Sequence, residues 1–585
     1  MASRPTRSRS QSGHDIFAVL EKQAFSERLW RKDPTVWRQG PKGARVIRNR
    51  LGWLNAVEAM MPRVPEITRF ADDIKEAGFT HVVLLGMGGS SLSPEVSHLT
   101  FGVRPGYPHL MVLDSTVPTS VLKVEGRIDP ARTLFIVAMK SGATVETNSC
   151  YRYFLDRVRA EIGDRAGDNF VAITDPGTSL EAEAHRNRFR DLFLNVADIG
   201  GRYSALSYFG LVPAAIIGVD IARLLDRAVS MTKACRPEVS LRDNPGIALG
   251  AMLAEHAMQG RNKMTLVLSP EIRSFGCWVE QLVAESTGKD GTGILPVEGE
   301  SIADPGRYGR DRVFVYLRLK TSNDADLDRG VQALEESGKP VLRIELDDVY
   351  DLGKEYFRWE MATAVASALL GVNAFDEPNV KESKDNTRRF MHKPEKHHML
   401  PKERPIASEG DLHIYCSQAM RSALDSMRAE LLLPEKSLSA YLKAFLNLHQ
   451  PGNYFALMAF MEAAPSVDCA FQCMRGFLRD AYKAATTLGY GPRFLHSTGQ
   501  FHKGGPNNGL FIQFTADDEE DIRIPGRPYG FGTLKQAQAM GDAASLQSKG
   551  RTFMRIHLGS DVEAGLNRVL DIISQLARII HEKRE

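Results

Sequence analysis

The chain is 585 residues long, 43% hydrophobic and 25% charged, with a formal net charge of +2. That length exceeds one core, so about three domains of ~100–200 residues are expected. The balanced charge supplies no global field toward nucleic acid or a membrane surface, and no apolar run approaches the ~18 residues of a spanning helix, which leaves a metabolic protein as the class that composition favours.

The opening "MASRPTRSRSQSG" has neither an acid nor an apolar core and reads as a disordered tail rather than a transit peptide. With the helical "FAVLEKQAFSERLW" it forms an N-terminal segment over 1–75. From residue 80 short β-rich runs alternate with helical stretches: "HVVLLG", "HLMVLDS", "TLFIVAMK", "NFVAITD" and "DLFLNV". That alternation predicts βαβ units and a parallel sheet over 76–225. A long helical region leads into "MTLVLSP", "VFVYLRL" and "VLRIEL", a second such unit over 226–385. The basic, proline-punctuated "NTRRFMHKPEKHHMLPKERPIASEG" reads as a linker over 386–410. A third series, "LHIYC", "YFALMAFM", "RFLHSTGQ", "LFIQFT" and "FMRIHLG", places a C-terminal α/β domain at 411–585, with "FQCMRGFLRDAYKAATTLG" read as helical throughout. The fold class is therefore α/β: two tandem doubly wound parallel-sheet domains followed by a third α/β domain. The six cysteines are scattered, and Cys469 and Cys473 have no second pair to complete a zinc site, which predicts free thiols and a cytoplasmic setting.

Two turns carry the chemistry. "GMGGSSLSPE" after the first strand combines glycines that allow close backbone approach with the positive end of a following helix, which suits an anion near Gly89 and Ser90. It lacks the ending of a phosphate-binding Walker loop and the acid of a dinucleotide site. "MKSGATVETN" after the third strand is a second hydroxyl-rich turn, with Lys140, Ser141, Thr144, Glu146 and Thr147. Helix capping explains such residues singly; two such turns on one sheet favour a small phosphorylated ligand.

These two turns resemble the "GxGGSxLGP" turn and "SKTxTTxET" phosphate loop of sugar isomerase domains. "GGRYSALSYFG", "EQLVAESTGKDGTGILPV" and "NAFDEPNVKESK" are similar, in the same order, to motifs of the glucose-6-phosphate isomerase family. "IRNRLGWL", "ADPGRYGRDRVFVYLRL", "GYGPRFLHSTGQFHKGGPNNGLFIQ" and "PYGFGTLKQAQAMGD" look like the isomerase half of bifunctional transaldolase/glucose-6-phosphate isomerases. The resemblance implies two sugar isomerase domains and an aldose–ketose isomerase that moves a proton between C1 and C2 of glucose 6-phosphate and fructose 6-phosphate. It implies no metal and no organic cofactor. Glu285 matches the family base, Arg202 the enediolate-stabilising arginine and Lys384 the lysine near the ring oxygen. Ser141, Thr144, Lys140, Ser90 and Gly89 would hold the phosphate and nearby hydroxyls, with Glu146 a weaker candidate. An ordinary surface glutamate, a structural salt bridge and an exposed helical lysine are the competing readings of Glu285, Arg202 and Lys384.

The chain departs from the family in three places. No histidine lies between Glu285 and Lys384, where the family supplies its ring-opening group; Glu377 stands for a common glutamine and Met139 for a serine. The third domain offers His496 and His502 in "RFLHSTGQFHKGG" as replacements. A mannose-specific or dual phosphosugar isomerase and a non-catalytic sugar-phosphate sensor are the alternative functions. The resemblance leaves a homodimer and a separate transaldolase partner open.

Overall fold

A computed structural model of the chain describes residues 15–37, 43–391 and 403–582. The expected tail over 1–14 and the "HKPEKHH" cluster lie outside the described residues.

The first sheet contains β1 (His81–Leu85), β2 (His109–Leu113), β3 (Thr133–Ala138), β4 (Phe170–Thr174) and β5 (Asp191–Leu194), all parallel, in the order β2-β1-β3-β4-β5. β3 and β4 are buried along their whole length, which is why they read as unbroken apolar runs. The chain order reverses between β1 and β3. In open parallel sheets the crevice at such a reversal, beyond the carboxyl ends of the strands, is where ligands bind. The glycine turn follows β1 and the hydroxyl-rich turn follows β3, so both open at this crevice. They lead into α1 (Leu92–Phe101) and α2 (Val145–Ile162) respectively.

The second sheet is also parallel, β7 (Leu295–Val297), β6 (Lys263–Leu268), β8 (Arg312–Leu319) and β9 (Val341–Leu346) in that spatial order. Behind β6 comes α3 (Phe275–Thr287), and after the second sheet α4 (Pro378–Met391). The N-terminal helices bury Trp37, Trp53, Leu51 and Ile47 in one core with residues of both sheets.

The C-terminal unit holds six strands in the order β10-β11-β15-β14-β12-β13, with β10 (Ala407–Glu409), β11 (Leu412–Tyr415), β12 (Tyr454–Phe460), β13 (Ala485–Tyr490), β14 (Gly509–Thr515) and β15 (Thr552–His557). β10 and β11 are antiparallel additions to a parallel remainder. Its helices include α5 (Pro465–Tyr482), α6 (Thr498–Gly504) and α7 (Phe531–Ser548). This unit is not a separate bead. Phe501, Tyr454 and Phe494 share a core with Ala284, Leu295 and Val297, and Ile522, Ile524 and Phe531 pack with Val121, Tyr153 and Phe154 of the first sheet's layer.

Three local expectations are corrected. α4 continues through Met391 and β10 begins at Ala407, so both ends of the expected linker 386–410 are regular structure. The stretch read as helical through Gly489 stops at Tyr482, and "ATTLGY" is strand β13, its threonines suited to a pleated surface. "RFLHSTGQ", expected among the strands, is a short 3₁₀ turn over Arg493–His496 running into α6.

Candidate active site

The turn after β1 meets α3 of the second sheet's layer through close packing, whereas Gly142 in the turn after β3 packs on Thr178 and Leu180. Gly88 has φ +56°, and a Cβ there would lie 2.6 Å from Gln281 Nε2; a Cβ on Gly89 would lie 2.0 Å from the Gly201 carbonyl oxygen. Only glycines let the turn after β1 press against the 3₁₀ turn that carries Arg202 and against α3. The amides of Ser90 and Ser91 close their own turn onto the carbonyls of Met87 and Gly88 at 3.2 and 2.9 Å. Gly89 and Ser90 are buried beneath the site instead of lining its cavity.

Arg202 sits 5% exposed with every nitrogen engaged. Nε donates to Ser286 Oγ at 2.8 Å, and Nη2 donates to the carbonyls of Ala374 and Asp376 at 2.7 and 3.0 Å. Nη1 faces two carboxylates, Glu285 Oε1 at 3.2 Å and Glu377 Oε2 at 3.1 Å. A guanidinium held this way keeps its fork fixed in space. Glu285, 9% exposed near the end of α3, also accepts from Gln281 Nε2 at 3.2 Å. Burial pushes the Glu285 carboxyl above its ordinary value and Glu377 adds to this, against the pull of Arg202. Burial also acts to raise Glu377, but Arg202 outweighs it, so Glu377 stays below the usual range. Lys289, behind the pair, falls to about 8, chiefly through burial and then through Arg202.

Gln281 links this pair to the C-terminal unit, its Nε2 donating to the carbonyl of His496 at 2.8 Å. The His496 ring lines a cavity of about 320 Å³ with Ser141, Thr144, Glu146 and Lys384; Gln538 and Arg527 of the C-terminal unit stand on the same wall. His496 Nε2 lies 3.2 Å from Glu146 Oε1. Burial would raise Glu146, but the hydrogen bond and charge of His496, with Lys384, hold it at about 2. The cavity thus has a hydroxyl-rich end, a lysine, and a histidine paired with an ionised carboxylate. Glu285 and Arg202 lie off its wall, one residue removed through Gln281.

Two expected residues go elsewhere. Lys140 is ion-paired with Asp175, donates to the Ala197 carbonyl at 3.0 Å and is absent from the cavity wall. His502 is 2% exposed, its ring among Tyr454, Phe494 and Phe511 with neither nitrogen hydrogen-bonded, and burial holds its pKa well below the ordinary value. It is a core histidine. Met139 is buried, with Asn148 Nδ2 3.6 Å from its sulfur. Sequence reasoning gave no role to Gln281, Lys289, Gln538 or Arg527, although the first three lie inside recognised stretches; Gln281 also stands four residues before Glu285 on one helix face.

Among the described residues no group of three or more histidine, cysteine, aspartate or glutamate side chains could hold a metal, all six cysteines are free, and no helix is long and apolar enough to cross a membrane.

Tandem parallel sheets with hydroxyl-rich turns at a strand-order reversal define a sugar isomerase fold, and solved structures agree. A hypothetical protein of Thermus thermophilus superposes with a TM-score of 0.57 at 24% identity, covering 64% of this chain and 96% of that one. A glucose-6-phosphate isomerase of Chlamydia trachomatis gives 0.53 at 17% identity over 64% and 84% of the two chains. In sequence, residues 55–296 match the phosphoglucose isomerase family model. The chain is 30% identical over 349 residues to a Haloarcula marismortui protein named "Probable glucose-6-phosphate isomerase", covering 53% of this chain and 78% of that protein. A glucose-6-phosphate isomerase of Methanocaldococcus jannaschii is 27% identical over 379 residues, 57% of this chain and 93% of the relative. The chain belongs to the phosphoglucose isomerase family.

Proposed function

We propose that this enzyme interconverts glucose 6-phosphate and fructose 6-phosphate by proton transfer through a cis-enediolate, with Glu285 as the base. The observation that carries the assignment of roles is the buried Glu285 carboxylate 3.2 Å from the fixed Arg202 guanidinium, joined through Gln281 to the histidine on the cavity wall. Ser141 and Thr144 take the phosphate, and Lys384 adds positive charge beside it. His496 delivers a proton to the ring oxygen as the C1–O5 bond breaks, while the anomeric hydroxyl loses its proton to solvent. The open chain then directs C1 and C2 past His496 toward Glu285. Glu285 removes the C2 proton and returns it to C1, the O2 hydroxyl proton passes to O1 across the cis-enediolate, and Arg202 balances the negative charge that develops on the oxygens between the two steps. A carboxyl raised above its ordinary value is the stronger base for this work, and a preorganised cation at developing charge is worth a few kcal/mol.

The test is a coupled assay on fructose 6-phosphate that reads glucose 6-phosphate and mannose 6-phosphate separately. Glucose 6-phosphate is the expected product, and Glu285→Gln lowers turnover by ~10²–10⁴-fold. Mannose 6-phosphate as the main product, or undiminished turnover in the variant, overturns the reading. A cytoplasmic setting fits the free thiols. Whether the enzyme is a homodimer, and whether a transaldolase binds it, are separate expectations for sedimentation and pull-down.

A further inference from the structure

Gln538 lies on α7, inside the "PYGFGTLKQAQAMGD" stretch but with no role legible from it, and its amide is hydrogen-bonded at both ends. Its Nε2 donates to Glu146 Oε1 at 2.8 Å, and its Oε1 accepts from Thr116 Oγ1 at 2.7 Å. Thr116, in the loop after β2, has no solvent exposure, and Glu146 and Gln538 are 6% and 3% exposed. The polarity of the chain is forced. An ionised carboxylate can only accept, so the amide turns its NH₂ to Glu146 and its carbonyl to the threonine hydroxyl. The same Glu146 oxygen faces His496 Nε2 at 3.2 Å. His496 must therefore present Nε2–H to Glu146, and its Nδ1 is left to exchange a proton with substrate.

We propose that Gln538 is a positioning residue for ring opening: it fixes the Glu146 carboxylate that sets the tautomer and orientation of His496. The assignment rests on the reading of His496 as the ring-opening group. Thr116 and Glu146 belong to the first sheet's layer and Gln538 to the C-terminal unit, so this relay also fixes the C-terminal unit to the turn that carries the phosphate hydroxyls. Substituting leucine leaves Glu146 with one donor fewer and the buried Thr116 hydroxyl without an acceptor. The imidazole then loses its fixed partner, while the proton transfer at Glu285 does not pass through this relay.

The experiment compares fructose 6-phosphate with 5-deoxyfructose 6-phosphate, which has no hydroxyl to close a furanose ring, following C1 proton exchange with deuterated water by NMR. A hydrogen bond to a charged group corresponds to about 10–100-fold in rate. Gln538→Leu is expected to lose about that on fructose 6-phosphate and a several-fold smaller factor on the open analogue. Thr116→Val, which removes only the far hydroxyl, loses less in the same direction, and it carries the test if the leucine variant fails to fold. An equal loss on both substrates, or no loss on either, overturns the assignment. His496→Ala measured alongside separates the two claims. If it discriminates between the substrates and Gln538→Leu does not, the positioning role alone fails; if His496→Ala loses equally on both, the ring-opening reading fails and takes this role with it.

Discussion

Replacing Arg202 by glutamine removes one positive charge from between two carboxylates. Glu285 Oε1 is 3.2 Å and Glu377 Oε2 3.1 Å from the same guanidinium nitrogen. At an effective dielectric of about 20, unit charges at that separation interact by about 5 kcal/mol, and a close opposite charge commonly lowers a carboxyl pKa by about 1–3 units. Burial and Glu377 already push Glu285 up while Arg202 restrains it. With the guanidinium gone, burial and Glu377 push upward against only the weaker charges of His496 and Lys289. The base must be ionised to work, so the acid limb of the kcat/KM profile moves to higher pH by about 1–3 units. Maximal turnover falls by a further ~10²–10³-fold, because the enediolate loses its counter-charge. The assay is kcat/KM for fructose 6-phosphate across pH in wild type and variant. A fall in rate with an unmoved acid limb would refute the electrostatic link between the arginine and the base.

Gly89→Ala directs a methyl group to 2.0 Å from the Gly201 carbonyl oxygen; overpacking of this kind costs about 1–3 kcal/mol, and thermal melting together with turnover reads the loss. His502→Leu keeps isomerase activity and removes a source of acid lability. The folded protein holds His502 neutral, so its contribution is full above the unfolded pKa of ~6.5 and is lost at up to about 1.4 kcal/mol per pH unit as pH falls below it. The melting temperature of wild type should therefore drop more than that of the variant between pH 7 and 5, and parallel curves would count against the buried neutral ring. Arg527→Ala raises KM several-fold with little change in kcat, because exposed Arg527 lines the same cavity as the hydroxyls assigned to phosphate; an unchanged KM removes it from substrate binding.

Every strand of the two parallel sheets except β7 was legible; strands buried on both faces leave continuous β-branched and aromatic runs, as in "TLFIVA" and "RVFVYLRL", whereas β7 is only three residues long. β13 was hidden because "ATTLGY" follows an 18-residue helix after only two residues, one of them Lys483 in the left-handed region. Glu285 and Arg202 could be proposed from motifs, but their 3.2 Å pairing is a tertiary fact linking residues 83 positions apart. His496 and His502 stand six residues apart in similar surroundings, and only the turn from the 3₁₀ segment into α6 sends one ring to the cavity and the other among Tyr454 and Phe511. Lys140 stands apart from the cavity because Asp175, 35 residues along the sequence and just beyond β4, pairs with its ammonium. Gln538 lies within the recognised "PYGFGTLKQAQAMGD" stretch, but a glutamine on a helix carries no sign of its role until its partners are known.

The architecture also bears on where this protein can be cut. The family model matches only residues 55–296, which contain Glu285, Arg202, Ser141, Thr144 and Glu146. A fragment trimmed to that stretch would keep those recognised motifs yet leave behind Lys384, His496 and Gln538. It would also strip the aromatic cover from Ala284, the neighbour of the base, and from the layer behind the phosphate turn. The C-terminal unit thus supplies part of the cavity wall, and the candidate site of this chain extends beyond the stretch that carries the family signature.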